Sequence, residues 1–155
     1  MRDHAAILHR VVNAFSEPSD RYDLLQELTL AVWNAIPAFR GHASASTFIY
    51  RVSHNAAMMW RRSQRTYQRK IATFEAFASN EPAPEQREQD RERLECIYAA
   101  IRLLPPADRS LILLSLDGVS YRHMADIHGL SESNVGVRLK RIRERLATLL
   151  NQDPS

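Results

Sequence analysis

The sequence predicts an all-α protein built as two small helical domains joined by a flexible linker. Three observations lead there. Apolar residues recur at helical spacing along nearly the whole chain, with no alternating β-type runs. Only four glycines occur in 155 residues, too few for a turn-rich sheet protein. The periodicity breaks clearly at the segment SNEPAPEQ beginning at Ser79, which is polar, acidic and proline-bearing, the composition of an extended tether. A chain of this length forms one ordinary domain or two small ones, and a hydrophobic content of 45% is enough for packed cores. The expected division is a domain over residues 1–77, a linker over 78–91 and a second domain over 92–155.

The first helix is expected over residues 2–15, stopping near Glu17 and Pro18. A second follows from Ser19 or Asp20 to Ile36, where Pro37 closes it. On its wheel Leu25, Leu28, Val32, Ala35 and Ile36 share one side and should be core. Asp23, Gln26, Glu27, Leu30 and Asn34 fall opposite, with Trp33 at the edge. A leucine and a tryptophan bordering a polar face suit a protein docking surface. They suit equally a tryptophan that closes the core from the side and an ordinary exposed leucine. A third helix covers residues 46–67 and extends toward Phe77. It carries Arg61, Arg62, Arg65, Arg69 and Lys70 without an intervening acid. Tyr50, Trp60 and Tyr67 are aromatic residues able to stack on a base, although Tyr50 and Trp60 read more readily as core.

Beyond the tether, helical spacing resumes at Leu94, Ile97, Tyr98 and Ile101, is interrupted by Pro105 and Pro106, and returns over 110–116. Asp117 and Gly118 then lead into the most informative segment. Ser120 caps a helix from Tyr121 to His128, Gly129 supplies the left-handed residue that ends it, and Ser131 caps another. In the latter, Val135, Leu139, Ile142, Leu146 and Leu149 form one apolar stripe. Ser133, Gly136, Val137, Lys140 and Arg141 lie opposite, flanked by Arg138, Arg143 and Arg145. Short helix, glycine turn, serine cap and longer basic helix make a helix-turn-helix. Its cations attract phosphates, while short residues near the N-terminus approach base edges in the major groove.

The net charge of +3 is modest but concentrated in two basic runs, so a polyanion gripped at two places is expected. Cys96 is alone, which excludes an intramolecular disulfide and a cysteine zinc cluster and suggests a small core residue in a reducing compartment. No stretch approaches the roughly 20 apolar residues of a membrane span. The N-terminal segment lacks a leader's apolar core, so a cytoplasmic protein without membrane insertion is expected. The six histidines form no HExxH pattern or metal cluster, and His123 and His128 read as surface or DNA-proximal residues. No phosphate-binding glycine loop or nucleophile elbow occurs. The chain is therefore expected to be no enzyme and to need no cofactor, metal or small-molecule substrate.

The segment DLLQELTLAVW from Asp23, then FRG from Phe39, then TFIYRVSHN from Thr47 resembles region 2 of the sigma-70 family. It is most similar to the extracytoplasmic-function (group 4) sigma factors, which keep only regions 2 and 4, and Leu94 to Leu150 matches the second of these. The resemblance spans roughly residues 20–150. It implies that Asp23, Gln26, Glu27, Leu30 and Trp33 dock on the β′ clamp helices of core RNA polymerase, with the β flap as a further partner. Gly41, His42, Ser44, Asn55, Arg61, Arg62 and Arg65 would meet melted −10 promoter DNA, a role that suits cations for the backbone and a loop receiving an extruded base. Ser133, Asn134, Val137, Arg138, Lys140 and Arg141 would meet the −35 duplex. An anti-sigma factor is implied as an inhibitory partner.

The chain also departs from the family pattern. An acidic residue after the glycine, then an aromatic and an arginine are usual; His42, Ala45 and Ser46 stand there. The usual Thr-Val-Lys-Ser-Arg appears as Asn134 to Arg138 with Gly136 at the lysine's place, which removes a phosphate contact and costs about 1 kcal/mol of helix propensity. Gly136 fits either a closer backbone approach to DNA or tolerated drift. The substituted loop and Gly136 also suit a sigma-like adaptor that binds a regulatory protein without initiating transcription, although such an adaptor has no need of two basic runs. A dimeric one-component repressor is a weaker third reading, because no sensing pocket is legible.

Overall fold

A computed structural model describes residues 4–70 and 85–152, without the side chains of 65–70 and 85–87. The described residues hold seven α-helices and no strand: α1 (His4–Phe15), α2 (Arg21–Ala35), α3 (Ala45–Lys70), α4 (Glu85–Arg102), α5 (Pro106–Leu116), α6 (Tyr121–His128) and α7 (Glu132–Asn151). Short 3-10 turns at Pro18–Asp20 and Ile36–Ala38 begin and follow α2. Each contains one of the prolines expected to punctuate the chain, since a proline in the first turn forfeits no intrahelical hydrogen bond.

The first three helices pack on one another, and α4 to α7 form the second bundle. Its centre is α5, in which Arg109, Ser110, Leu111, Ile112, Leu113 and Leu114 are all buried. A helix buried on every side needs neighbours on every side, and α5 touches α1, α3, α4, α6 and α7. Pro105 and Pro106 start this helix rather than merely interrupting the pattern, because proline at the first helical position has the right φ already. The serine caps behave as the sequence suggests. Ser120 Oγ accepts from the His123 amide and Ser131 Oγ from the Asn134 amide, both at 3.2 Å. Gly129 closes α6 at φ +64.

Two expectations shift. The core stripe of α2 is centred on Leu24 and Leu28, both fully buried, with Leu25, Val32 and Ala35 half-buried and Ile36 exposed. α2 rests on both α1 and α3, which turns its inner face by about one residue toward Leu24 and leaves Ile36 beyond the helix end. In addition, α4 begins at Glu85, so residues 85–91, expected in the linker, are helical. The run from Glu85 is polar but rich in Glu, Gln and Arg, which are good helix formers, and contains no glycine or proline.

A single apolar cluster passes through both bundles. The helix that joins them is α1, where the adjacent Val11 and Val12 are each 2% exposed. Neighbouring helical residues point about 100° apart, so burying both requires walls on two sides. α2 and α3 make one wall; α4 and α5 make the other.

Candidate polymerase and nucleic-acid interfaces

The outward face of α2 is apolar where the sequence places its docking candidates. Leu25, Gln26, Thr29, Leu30 and Trp33 line a shallow groove, in which Leu30 is 56% and Trp33 71% exposed. That much exposure rules out Trp33 as a side plug of the core. Asp23 and Glu27 are exposed beside the groove. Tyr22, 71% exposed and four residues before Gln26, extends the same stripe. Its spacing is the signal that could have found it, but a tyrosine next to Asp23 looks like ordinary surface.

After α2 the chain turns through Phe39, whose ring meets Phe48 of α3 at 4.9 Å between centroids. Gly41 lies at φ +74, the left-handed region that a side chain disfavours. Gly41, His42 and Ser44 are all exposed. Ser44 also caps α3, since its Oγ accepts from the Thr47 amide at 3.1 Å and lies 2.9 Å from the Thr47 hydroxyl. Along α3, Asn55 and Arg62 are exposed, and Arg61 is half-buried in a cleft with Phe15, Glu17, Trp60, Arg102 and Arg109. Arg65 belongs to α3, but its side chain lies outside the described residues, as does that of Tyr67. Tyr50 is buried and Trp60 half-buried against the core, as expected.

On α7 the apolar stripe is buried at Val135, Leu139 and Ile142, and half-buried at Leu146 and Leu149. Ser133, Asn134, Val137, Lys140 and Arg141 are exposed on the other side. Arg138 is turned to a flank, where its Nε donates to Asp108 Oδ1 at 2.6 Å across to α5. Asn134, Val137, Arg138 and Arg141 line a cleft shared with Asp108 and Leu130. Arg143 donates to the Ser115 hydroxyl at 2.9 Å, tying the other flank to the end of α5.

Gly136 receives a physical explanation from within the chain. A Cβ there would stand 3.3 Å from Cε2 of Tyr121, the first residue of α6. That is tighter than ordinary van der Waals contact, so the missing side chain makes room for a tyrosine ring packed across the helix. Neither closer approach to DNA nor drift is needed. The pairing is invisible in sequence because it joins positions on two different helices.

Between the bundles lies a set of polar contacts. Arg21 of α2 and Arg102 of α4 both hold Glu95, and Arg102 also donates to the carbonyl of Asn13 at 3.0 Å. Burial alone would raise the Glu95 pKa, but hydrogen bonds from Arg21 and Arg102, with their charges, hold it below the usual carboxylate value. Arg10 of α1 pairs with Asp117 at 2.9 Å. Arg109 is buried at 7% exposure and donates to the Leu104 carbonyl at 2.8 Å, to the Arg102 carbonyl, and weakly to Ala14 at 3.5 Å. Its guanidinium lies 5.5 Å from the Phe15 ring centre. Cations therefore satisfy carbonyls at the ends of both α1 and α4, where the helix dipole also favours them. His128 corrects the sequence reading. It is half-buried against His54 of α3, with ring centroids 5.1 Å apart, and so is not a surface residue.

Among the described residues no group of three or more His, Cys, Asp or Glu is placed to hold a metal ion. No described helix is long and apolar enough to cross a membrane. The family model for sigma-70 region 2 matches residues 1–67, and that for sigma-70 region 4 matches residues 94–146. The chain is 30% identical over 132 residues to the RNA polymerase sigma factor YlaC of Bacillus subtilis, covering 80% of this chain and 73% of that one. It is 27% identical over 160 residues to the RNA polymerase sigma factor CnrH of Cupriavidus metallidurans, covering 97% and 84%. The fold is similar to that of the sigma factor RpoE from Bartonella quintana, solved in complex with the anti-sigma factor NepR, with a TM-score of 0.71, 22% identity, and coverage of 97% of this chain and 93% of that one.

Proposed function

The chain belongs to the sigma-70 family, in its extracytoplasmic-function group, and from that membership we propose that it is an alternative sigma factor that directs core RNA polymerase to particular promoters. The observation that carries this reading is the presence on one chain of two exposed surfaces of different chemistry. One is the apolar groove of α2 around Leu30 and Trp33, and the other is the basic outer face of α7. Residues 1–77 act as the region 2 domain, 92–155 as the region 4 domain, and 78–91 as the connection.

The role is binding without catalysis. Asp23, Gln26, Glu27, Leu30 and Trp33 dock on the β′ clamp helices. The loop at Gly41, His42 and Ser44, with Asn55, Arg61, Arg62 and Arg65, meets the opened −10 strand. Ser133, Asn134, Val137, Arg138, Lys140 and Arg141 meet the −35 duplex while region 4 rests on the β flap. Two weak, salt-sensitive contacts on one chain raise each other's effective concentration, so neither needs to bind tightly alone. The relative solved with NepR supports an anti-sigma protein as a further partner. Reconstituted initiation with core polymerase tests the reading. A stable complex and promoter-specific transcripts are expected, and failure to bind core polymerase in the absence of any inhibitor overturns it.

A further inference from the structure

We propose that His54 and His128 form an acid-released latch between the two helical bundles. His54 is on α3 in the first bundle and His128 ends α6 in the second, so the contact between their rings crosses the junction. The rings meet edge to face with centroids 5.1 Å apart. Phe15 of α1 closes the other side of His54, edge to face at 6.0 Å. His54 Nδ1 and His128 Nε2 are both buried without a hydrogen-bond partner among the described residues.

This geometry accepts two neutral imidazoles and rejects a charged one. A neutral ring can take the tautomer that leaves the buried nitrogen unprotonated, whereas an imidazolium must carry an N–H there with no acceptor to receive it. The charged groups around the pair add to this. Arg138 of α7 acts on His128 and is itself held by Asp108 of α5; Arg109 of α5 stands over Phe15, on which His54 leans. Charging both rings also sets two cations about 5 Å apart. The C-terminal end of α6 favours a cation at His128, but burial outweighs it.

The energetics follow the same direction. Burial lowers the pKa of His54, and burial together with the charges of His54 and Arg138 lowers that of His128 from 6.5 to about 4. Once the bundles part, both rings regain water and titrate near 6.5. The latch is therefore complete above pH 6.5 and is progressively lost as pH falls from 6.5 toward 4. For His128 alone, the open-to-closed ratio rises about 30-fold from pH 7.5 to pH 5.0. Glu95, the other shifted group at the junction, has its pKa below 4.5 and so acts in a more acid window.

The test uses the full chain in a Cys96→Ser background, with fluorophores placed through Thr29→Cys on α2 and Thr148→Cys on α7, and reads their energy transfer from pH 7.5 to 5.0. The expected result is a rise in the open fraction that is largely abolished in the His54→Phe/His128→Phe double variant. Imidazole NMR on the unlabelled chain should give His128 an apparent midpoint well below 6.5, because the closed contact resists protonation. A pH-independent transfer signal overturns the latch, as does an equal rise in the double variant. Both midpoints near 6.5 in the closed chain would overturn it too. None of these readouts depends on transcription, so the latch can fail while the sigma-factor reading stands.

Discussion

Replacing Arg109 with methionine keeps most of the side-chain length and removes every donor. The carbonyls of Leu104 and Arg102 then lose their guanidinium partner, and the weaker contact to Ala14 and the cation over Phe15 go with them. An unpaired buried acceptor costs about 1–3 kcal/mol, partly offset because a desolvated cation is no longer carried. The net expectation is a loss of about 3 kcal/mol. With about 2.1 cal/mol/K of unfolding entropy per residue over this chain, that lowers Tm by about 9 °C. Calorimetry on the full chain reads it directly. Arg109→Lys, which keeps the charge and reaches fewer carbonyls, should fall between the two. A Tm for Arg109→Met within about 2 °C of wild type would refute the claim that this residue secures the ends of α1 and α4.

Three further outcomes are expected. Leu30→Ala with Trp33→Ala should weaken core-polymerase binding at least tenfold in a fluorescence titration while Tm stays within about 2 °C, since both side chains are exposed; a large fall in Tm would mean they are core. Arg138→Ala should lower affinity for a −35 duplex and leave core-polymerase binding intact, and loss of core binding would contradict the separation of the two surfaces. Gly136→Ala gains up to about 1 kcal/mol of helix propensity but presses on Tyr121, so its benefit in urea unfolding should be larger in a Tyr121→Ala background. Equal effects in both backgrounds would show that the tyrosine ring does not occupy that space.

The parts of this structure legible in sequence are those set by local rules. The caps at Ser120 and Ser131, the turn at Gly129 and the buried stripe of α7 depend on residues within a few positions of one another, and all appear as expected. The outer face of α2 is half legible: periodicity separates it from the core, but only exposure excludes Trp33 as a core plug. Three features stay hidden for one reason, namely that each depends on a partner distant in sequence. Gly136 is explained by Tyr121, Arg138 is held by Asp108, and His128 is turned inward by His54. The start of α4 is hidden differently. Its polar composition reads as a tether, although Glu, Gln and Arg favour a helix wherever no proline interrupts.

For a related reason two modules are evident from sequence while their union is not. Periodicity reports that a helix has an apolar face, but it does not report how many neighbours that face serves. In α1 the paired burial of Val11 and Val12 means that both bundles draw on one helix. The remaining junction contacts come from Arg10, Arg21, Arg102, Glu95 and Asp117, each of which looks like ordinary surface charge in its own helix. These ion pairs are only partly buried, and pairs that keep contact with water are modest in strength, contributing about 0–1 kcal/mol each. The apolar wall of α1 and the buried Arg109 therefore provide most of the attachment, while the histidine pair makes it conditional on pH.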